Sequence, residues 1–279
     1  MDTKTVYRQL FADMVGRLGE DLDLAQGALY IAAEDSPDVD IEGSNSILDQ
    51  MAQEVSENLE PSMDLSTKLR RLSLYLGVTQ GFCGDEEDYY NPRNVYLNQV
   101  LKRKRGIPIT LSLVYIEVGS RLGIFFEPIG LPGHLVMRAG SPDTEIYVDP
   151  FHYGRLLSRE DCVHLIRNMF GGKVDLTDQD FRPYTKRQFL IRLLANLKNV
   201  YTKKGDYHMA IAAADRVALV DPHMSSNFKE RAWMFSRTNQ YGRAIEDLES
   251  YLKLQPEAED AKRVRGQIRA LWKTIATLN

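Results

Sequence analysis

Apolar residues recur at helical spacing along most of the chain, and one stretch near the middle departs from that pattern. Between residues 5 and 33, Val6, Leu10, Met14 and Leu18, then Leu24, Ala28 and Ile31, predict helix. Ser-Pro and Gly in SPDVDIEGSN interrupt it. Helix resumes over 47–59, where Ile47, Met51, Val55 and Leu59 recur every fourth position. Asp64 stands as an N-cap before Leu65, Leu69, Leu72 and Leu76. Residues 81–94, GFCGDEEDYYNPRN, read as a structured loop, followed by a short helix ending at Gly106. Pro108 is placed as the first residue of the next helix, whose apolar face is Leu111, Val114, Tyr115, Val118 and Leu122, with Gly123 as its stop. Three short strands then follow over 125–130, 134–138 and 145–148, separated by PG and GSPD turns. A helix from Ser158 to about Asn168 and a linker, GGKVDLTDQDFRPYT, complete this part. Helices followed by adjacent strands predict an α+β domain with a small antiparallel sheet.

Beyond residue 186 the chain repeats itself. GDYHMAIAAADRVALVDP matches NQYGRAIEDLESYLKLQP at an offset of 34 residues, pairing Tyr207 with Tyr241, Ala210 with Ala244 and Pro222 with Pro256. That period, with an aromatic, a small residue and a closing proline, is the signature of tetratricopeptide repeats. The first helices of the two units are expected over 188–203 and 227–238, with Trp233 and Phe235 as repeat core, and a capping helix over 258–277. Two repeats fall below the usual minimum of about three for independent stability. The expected division is 1–180, with a core at about 80–168, and 186–279.

Composition narrows the function classes. Two cysteines, Cys83 and Cys162, exclude a disulfide framework and a Cys-rich zinc site. The five histidines show no metal-ligand spacing, so no metal and no cofactor are expected. No apolar run is long enough to span a bilayer, and the acidic, amphipathic N-terminus is unlike a targeting peptide, so a cytoplasmic location is expected. Residues 1–90 carry 6 Lys/Arg against 19 Asp/Glu, whereas residues 181–279 carry 18 against 10. Such polarity can steer a charged partner, or it can dock one end of the chain on the other. The basic residues are dispersed and carry no nucleic-acid motif, so nucleic acid is not an expected partner. The basic run Lys102–Arg105 reads as a solvated helix end, with anion contact as the alternative.

The segments NPRNVYLNQVLKRKRGIPITLSLVYIEVGSRLGI, GLPGHLVMR and YVDPFHYGRLLS resemble the SirB-type family, in which a transglutaminase-like core precedes tetratricopeptide repeats. The resemblance implies a papain-like fold whose active relatives use Cys, His and Asp. His134 and Asp149 match the His and the Asp, and Pro108 occupies the position of the nucleophile. Proline supplies no nucleophile. Thr110, Ser112 and Cys83 are the candidates for a substitute: Ser112 lies one turn deeper in the helix, and Cys83 must fold back to reach His134. His134 is also open to a structural reading, as a buried histidine satisfied by Asp149.

These readings favour a non-catalytic adaptor in which the degenerate core is a recognition surface and the repeats hold a protein segment. Domains resembling this core also occur in proteins linked to regulated protein degradation, and that analogy implies a proteostasis or assembly role. The alternative is a hydrolase or acyltransferase on peptide or amide bonds with an unusual nucleophile; a small-molecule sensor built on His134 is a third. Arg192, Asn196, Asn199, Lys203, Lys229, Arg231 and Arg237 are the expected groove residues, and an acidic peptide the expected ligand.

Overall fold

The computed structural model describes residues 3–17, 22–36, 38–141 and 144–278. They form two compact units, Met1–Leu193 and Leu194–Asn279. The division falls inside one helix.

In the first unit the predicted helix over residues 5–33 is two helices, α1 (Thr3–Gly16) and α2 (Leu24–Asp35), and Leu18 lies outside the described residues. Asp23 starts α2 by accepting from the Gln26 N–H at 2.8 Å. Helix α3 (Ile41–Ser56) begins six residues before the apolar repeat suggested, because Asp40 caps it through the Gly43 N–H at 2.8 Å. Here a good cap outweighs the weak helix preference of Gly43. Asp64 caps α4 (Leu65–Ser73), which widens into a π-helical turn over Leu74–Thr79.

Next come strand β1 (Cys83–Gly84), helix α5 (Leu97–Arg103) and strand β2 (Arg105–Gly106), with β1 and β2 paired in parallel. The fourfold basic run therefore does not lie wholly on a helix: Lys104 takes the left-handed conformation at φ 60° and ends α5. Helix α6 (Pro108–Arg121) follows, with every residue from Pro108 to Tyr115 buried. An antiparallel sheet has the order β3 (Glu127–Ile129), β4 (Val136–Ala139), β5 (Ile146–Asp149), β6 (Arg155–Leu157). The sequence pattern revealed three of these strands; β6 is short and flanked by Gly154, and it escaped. Helix α7 (Arg159–Met169) starts at Ser158 with a reciprocal capping box to Asp161.

Residues 171–185 are not a free linker. Phe181 is buried edge-on against Tyr147, with ring centroids 5.7 Å apart. The Tyr184 N–H donates to the Pro128 carbonyl at 2.8 Å, and Pro183 bridges to Ile129. The segment straps the β3 edge and completes a core with Ile129, Val136, Tyr147, Leu157, Cys162 and Ile166. This packing carries the first unit past the expected limit at residue 180.

The second unit holds the end of α8 (Lys186–Lys204), then α9 (Tyr207–Val220), α10 (Ser225–Arg237), α11 (Tyr241–Leu254) and the closing α12 (Ala261–Leu278). The 34-residue register is written into the backbone as well as the side chains. Gly205 and Asn239, 34 positions apart, are both left-handed, at φ 76° and 58°, and each turns the chain into the second helix of its pair. Ala210, Ala214, Ala232 and Ala244 are buried, letting the helices approach around Met234, Phe235, Leu248 and Val264.

Candidate functional site

The site is assembled where α6 begins and where β4 and β5 run past it. Pro108 needs no N–H partner at the start of a helix, so the turn leading into α6 can be buried. The loop before it is held by Asn94, which is fully buried. Asn94 Nδ2 donates to the Asp88 carbonyl at 2.8 Å, and its Oδ1 accepts from Arg103 Nη1 at 2.7 Å.

His134 precedes β4, after a turn in which Gly133 is left-handed at φ 68°. Asp149 ends β5 and turns the chain by accepting from the Phe151 N–H at 3.1 Å. This brings its carboxylate between two imidazoles. His134 Nε2 lies 3.0 Å from Asp149 Oδ1, and His152 Nδ1 lies 2.6 Å from Asp149 Oδ2. The two contacts differ: the His152 contact is an aligned hydrogen bond, whereas the buried His134 Nε2 has no hydrogen bond in line. Phe151 stands perpendicular to the His134 ring, with centroids 6.0 Å apart. Gly84 permits this arrangement, since a Cβ there would fall 2.4 Å from the Phe151 ring. Gly77 likewise admits the next turn, because its Cβ would meet the Tyr153 carbonyl oxygen at 2.1 Å.

The cluster opens on a pocket of about 460 Å³ lined by Pro108, His134, His152, Phe151, Tyr89, Tyr90, Glu86, Gly133, Leu165 and Met169. Burial favours a neutral Asp149, but the contacts from His134 and His152 outweigh it and hold the carboxyl well below the usual range. The Asp149 hydrogen bond raises the His152 pKa despite partial burial.

The structure thus brings Pro108, His134 and Asp149 together. The substitute nucleophiles lie elsewhere. Thr110 donates to the Val95 carbonyl at 3.3 Å, and Ser112 is fully buried within α6. Cys83 is buried on β1, where Arg105 Nη1 donates to its sulfur. Burial pushes the Cys162 thiol up to about 12. No serine, threonine or cysteine is among the described residues lining the pocket. His152 was missed in the sequence; its only signal was its place three residues after Asp149. The fold also makes a grouping that linear spacing does not show. Among the described residues, ligand atoms of His134, Asp149 and His152 all lie within 4.8 Å of one another. Linear spacing hid this because a strand and a turn separate them.

In the repeats, the expected groove residues fare differently. Arg231 is clamped by Asp247 through paired contacts of 2.6 and 2.8 Å and by Asp215 at 2.8 Å. Lys229 pairs with Asp260 at 2.5 Å. Their charges are already neutralised, so the groove is less positive than its basic residues suggested. Arg192 reaches the Tyr184 hydroxyl at 3.4 Å, Asn196 is half-buried, and Asn199 and Lys203 are exposed. Trp233, expected in the repeat core, is 48% exposed, while Phe235 is buried. Trp233 lines a second pocket of about 340 Å³ with Lys229, Ser236, Leu248, Leu271 and Thr274. Arg237 stacks over it at 5.6 Å.

The transglutaminase-like superfamily model matches residues 43–195, and a tetratricopeptide-repeat model matches 197–269. A UPF0162 protein of Xylella fastidiosa is 32% identical over 252 residues, covering 89% of this chain and 90% of its own length. The chain belongs to the transglutaminase-like superfamily and to the UPF0162 family. A UPF0162 protein of Pseudomonas aeruginosa is 29% identical, with 86% and 88% covered. F-box only protein 21 of Mus musculus is 33% identical over 132 residues, 44% of this chain and 20% of that protein. Among the described residues, no helix is long and apolar enough to cross a membrane.

Proposed function

We propose that this protein is a non-catalytic adaptor that uses a degenerate transglutaminase-like pocket and a repeat groove to hold protein segments. The observation that carries the reading is Pro108, which lines the pocket beside His134 where a nucleophile would stand. The pocket keeps a polarised histidine and aromatic walls suited to gripping a side chain. The groove offers Trp233 and Arg237 to a peptide, and the surplus of basic residues after residue 181 favours an acidic one. With Lys229 and Arg231 engaged internally, Trp233 is the anchor and charge selects weakly. The stretch shared with F-box only protein 21 supports a proteostasis or assembly role. Two free, buried thiols agree with a cytoplasmic location.

The test has two arms. Purified protein incubated with peptide amides and an amine acceptor should show no hydrolysis or transamidation. Turnover abolished by Cys83→Ala, or by Ser112→Ala, would replace this reading with the hydrolase one. Partners recovered by crosslinking should be lost from Trp233→Glu and retained by a folded Asn199→Ala protein. Equal recovery from both would remove the groove from the proposal.

A further inference from the structure

The His134, Asp149 and His152 cluster has a donor set that neither the adaptor reading nor a Cys-His-Asp site requires. In a Cys-His-Asp site one carboxylate orients one imidazole. Here one carboxylate serves two, and the second, His152, comes from the turn after β5 and faces the same pocket.

We propose that His134 Nε2, a carboxylate oxygen of Asp149 and His152 Nδ1 bind one divalent first-row transition-metal ion at the floor of this pocket. Ligands about 2.0–2.2 Å from a tetrahedral ion stand roughly 3.3 Å from one another. The pairs seen here are 3.0 and 2.6 Å apart, and all three atoms lie within 4.8 Å. Opening the shorter pair takes a movement of roughly 0.7 Å. His152, whose side chain is 43% exposed, has the freedom to make it.

A second observation points the same way. His134 is 4% exposed, and its Nε2 is buried, aimed into the cluster, and lacks an aligned hydrogen bond. Its neighbour at 3.0 Å is Asp149 Oδ1, off the hydrogen-bond line, and an ion between the two would meet both donors. The surroundings fit a ligand shell: the Phe151 N–H fixes the carboxylate from behind, as outer-shell donors do around bound metals. In the metal-free protein a proton lies between His152 and Asp149. Ligation needs the Nδ1 lone pair, so in the neutral ring the hydrogen moves to Nε2, and from the charged ring one proton goes to solvent. Two imidazoles and one carboxylate suit zinc, cobalt or nickel, and disfavour magnesium and calcium, which take oxygen shells. Three protein ligands leave a coordination position directed at the pocket, open to an oxygen donor of whatever occupies it.

The experiment uses full-length, tag-free protein stripped with a chelator and titrated calorimetrically with zinc chloride, then with cobalt followed by visible absorption. The expected result is one ion per chain, a tetrahedral cobalt spectrum, and no uptake of magnesium. His152→Ala, at a partly exposed position that leaves the fold intact, should weaken zinc binding more than about 10-fold, and Asp149→Asn likewise. His164→Ala and His223→Ala, on the exposed surface, should leave it unchanged. The proposal is overturned if the folded wild-type protein shows no saturable zinc binding. It is equally overturned if binding survives His152→Ala, or if it follows His164 or His223 instead.

Discussion

Asp149 in the first unit and Asp247 in the repeats are both buried carboxylates, and they are held in opposite ways. Asp149, in the first unit, sits between two histidines and is held ionised. Asp247, in the repeats, shares the Arg231 guanidinium with Asp215, and burial, helped by the second carboxylate, pushes its pKa up in spite of Arg231 and Arg243. The arrangement of the partners makes the difference. At Asp247 both carboxylate oxygens are taken up by Arg231, which also holds Asp215, so the arrangement is a clamp. At Asp149 two imidazoles share one anion, and both line a pocket. A buried charge marks a candidate site only when its neighbours leave something unsatisfied on a surface that a ligand can reach.

Perturbing the two units in parallel sharpens this contrast. The largest effect is expected at neither carboxylate but in the repeat core, where Phe235→Ala should cost about 4 kcal/mol. Urea denaturation followed by circular dichroism measures it. A loss below about 1 kcal/mol would mean that the repeat core collapses around the cavity. Next comes Asp149→Asn, measured in chelator. It removes the anion shared by two imidazoles and should cost about 3 kcal/mol. Asp247→Asn should move stability by less than about 1 kcal/mol at neutral pH. The sign follows from its raised folded pKa: the ionised form costs stability above that pKa, and the cost disappears as the pH falls through it. The neutral amide removes that cost while Asp215 keeps Arg231 paired. Equal losses for the two variants would break the comparison. The smallest structural change is Pro108→Cys, which puts a thiol at the start of α6 beside His134. It should leave stability within about 1 kcal/mol and give a thiol that iodoacetamide labels about 10-fold faster than an ordinary cysteine. Mass spectrometry of the labelled peptide checks this, and a rate no faster than that of Cys83 would show that His134 does not face position 108.

What could be read from the sequence divides along physical lines. Helix starts at Asp64, Pro108 and Ser158 were legible because caps act within a turn. The repeats were legible because their 34-residue period fixes small and aromatic residues at fixed offsets. Strand β6 and the strap at Phe181 were not, because Arg155–Leu157 shows no alternation between Gly154 and Ser158 and strap packing depends on distant partners. The neutralising of Arg231 escaped for a related reason: Asp215 and Asp247 lie 16 residues to either side, a spacing that becomes contact only once the helices pair. Pro108, His134 and Asp149 were placed by resemblance. His152 belongs to the same turn as Asp149, yet nothing in its local pattern distinguishes it from a surface histidine.

The strap along β3 has a consequence for how the chain can be divided. A fragment ending at residue 180, the limit expected from the linker and the repeats, would lose Phe181, Pro183 and Tyr184 together. The outer edge of β3 would then present unpaired backbone groups, and the hollow beside Tyr147 would open to water. An exposed strand edge next to freshly uncovered apolar surface is a template for self-association. Fifteen residues that read as spacer are, for the sheet, the hem that keeps one molecule from being stitched to the next.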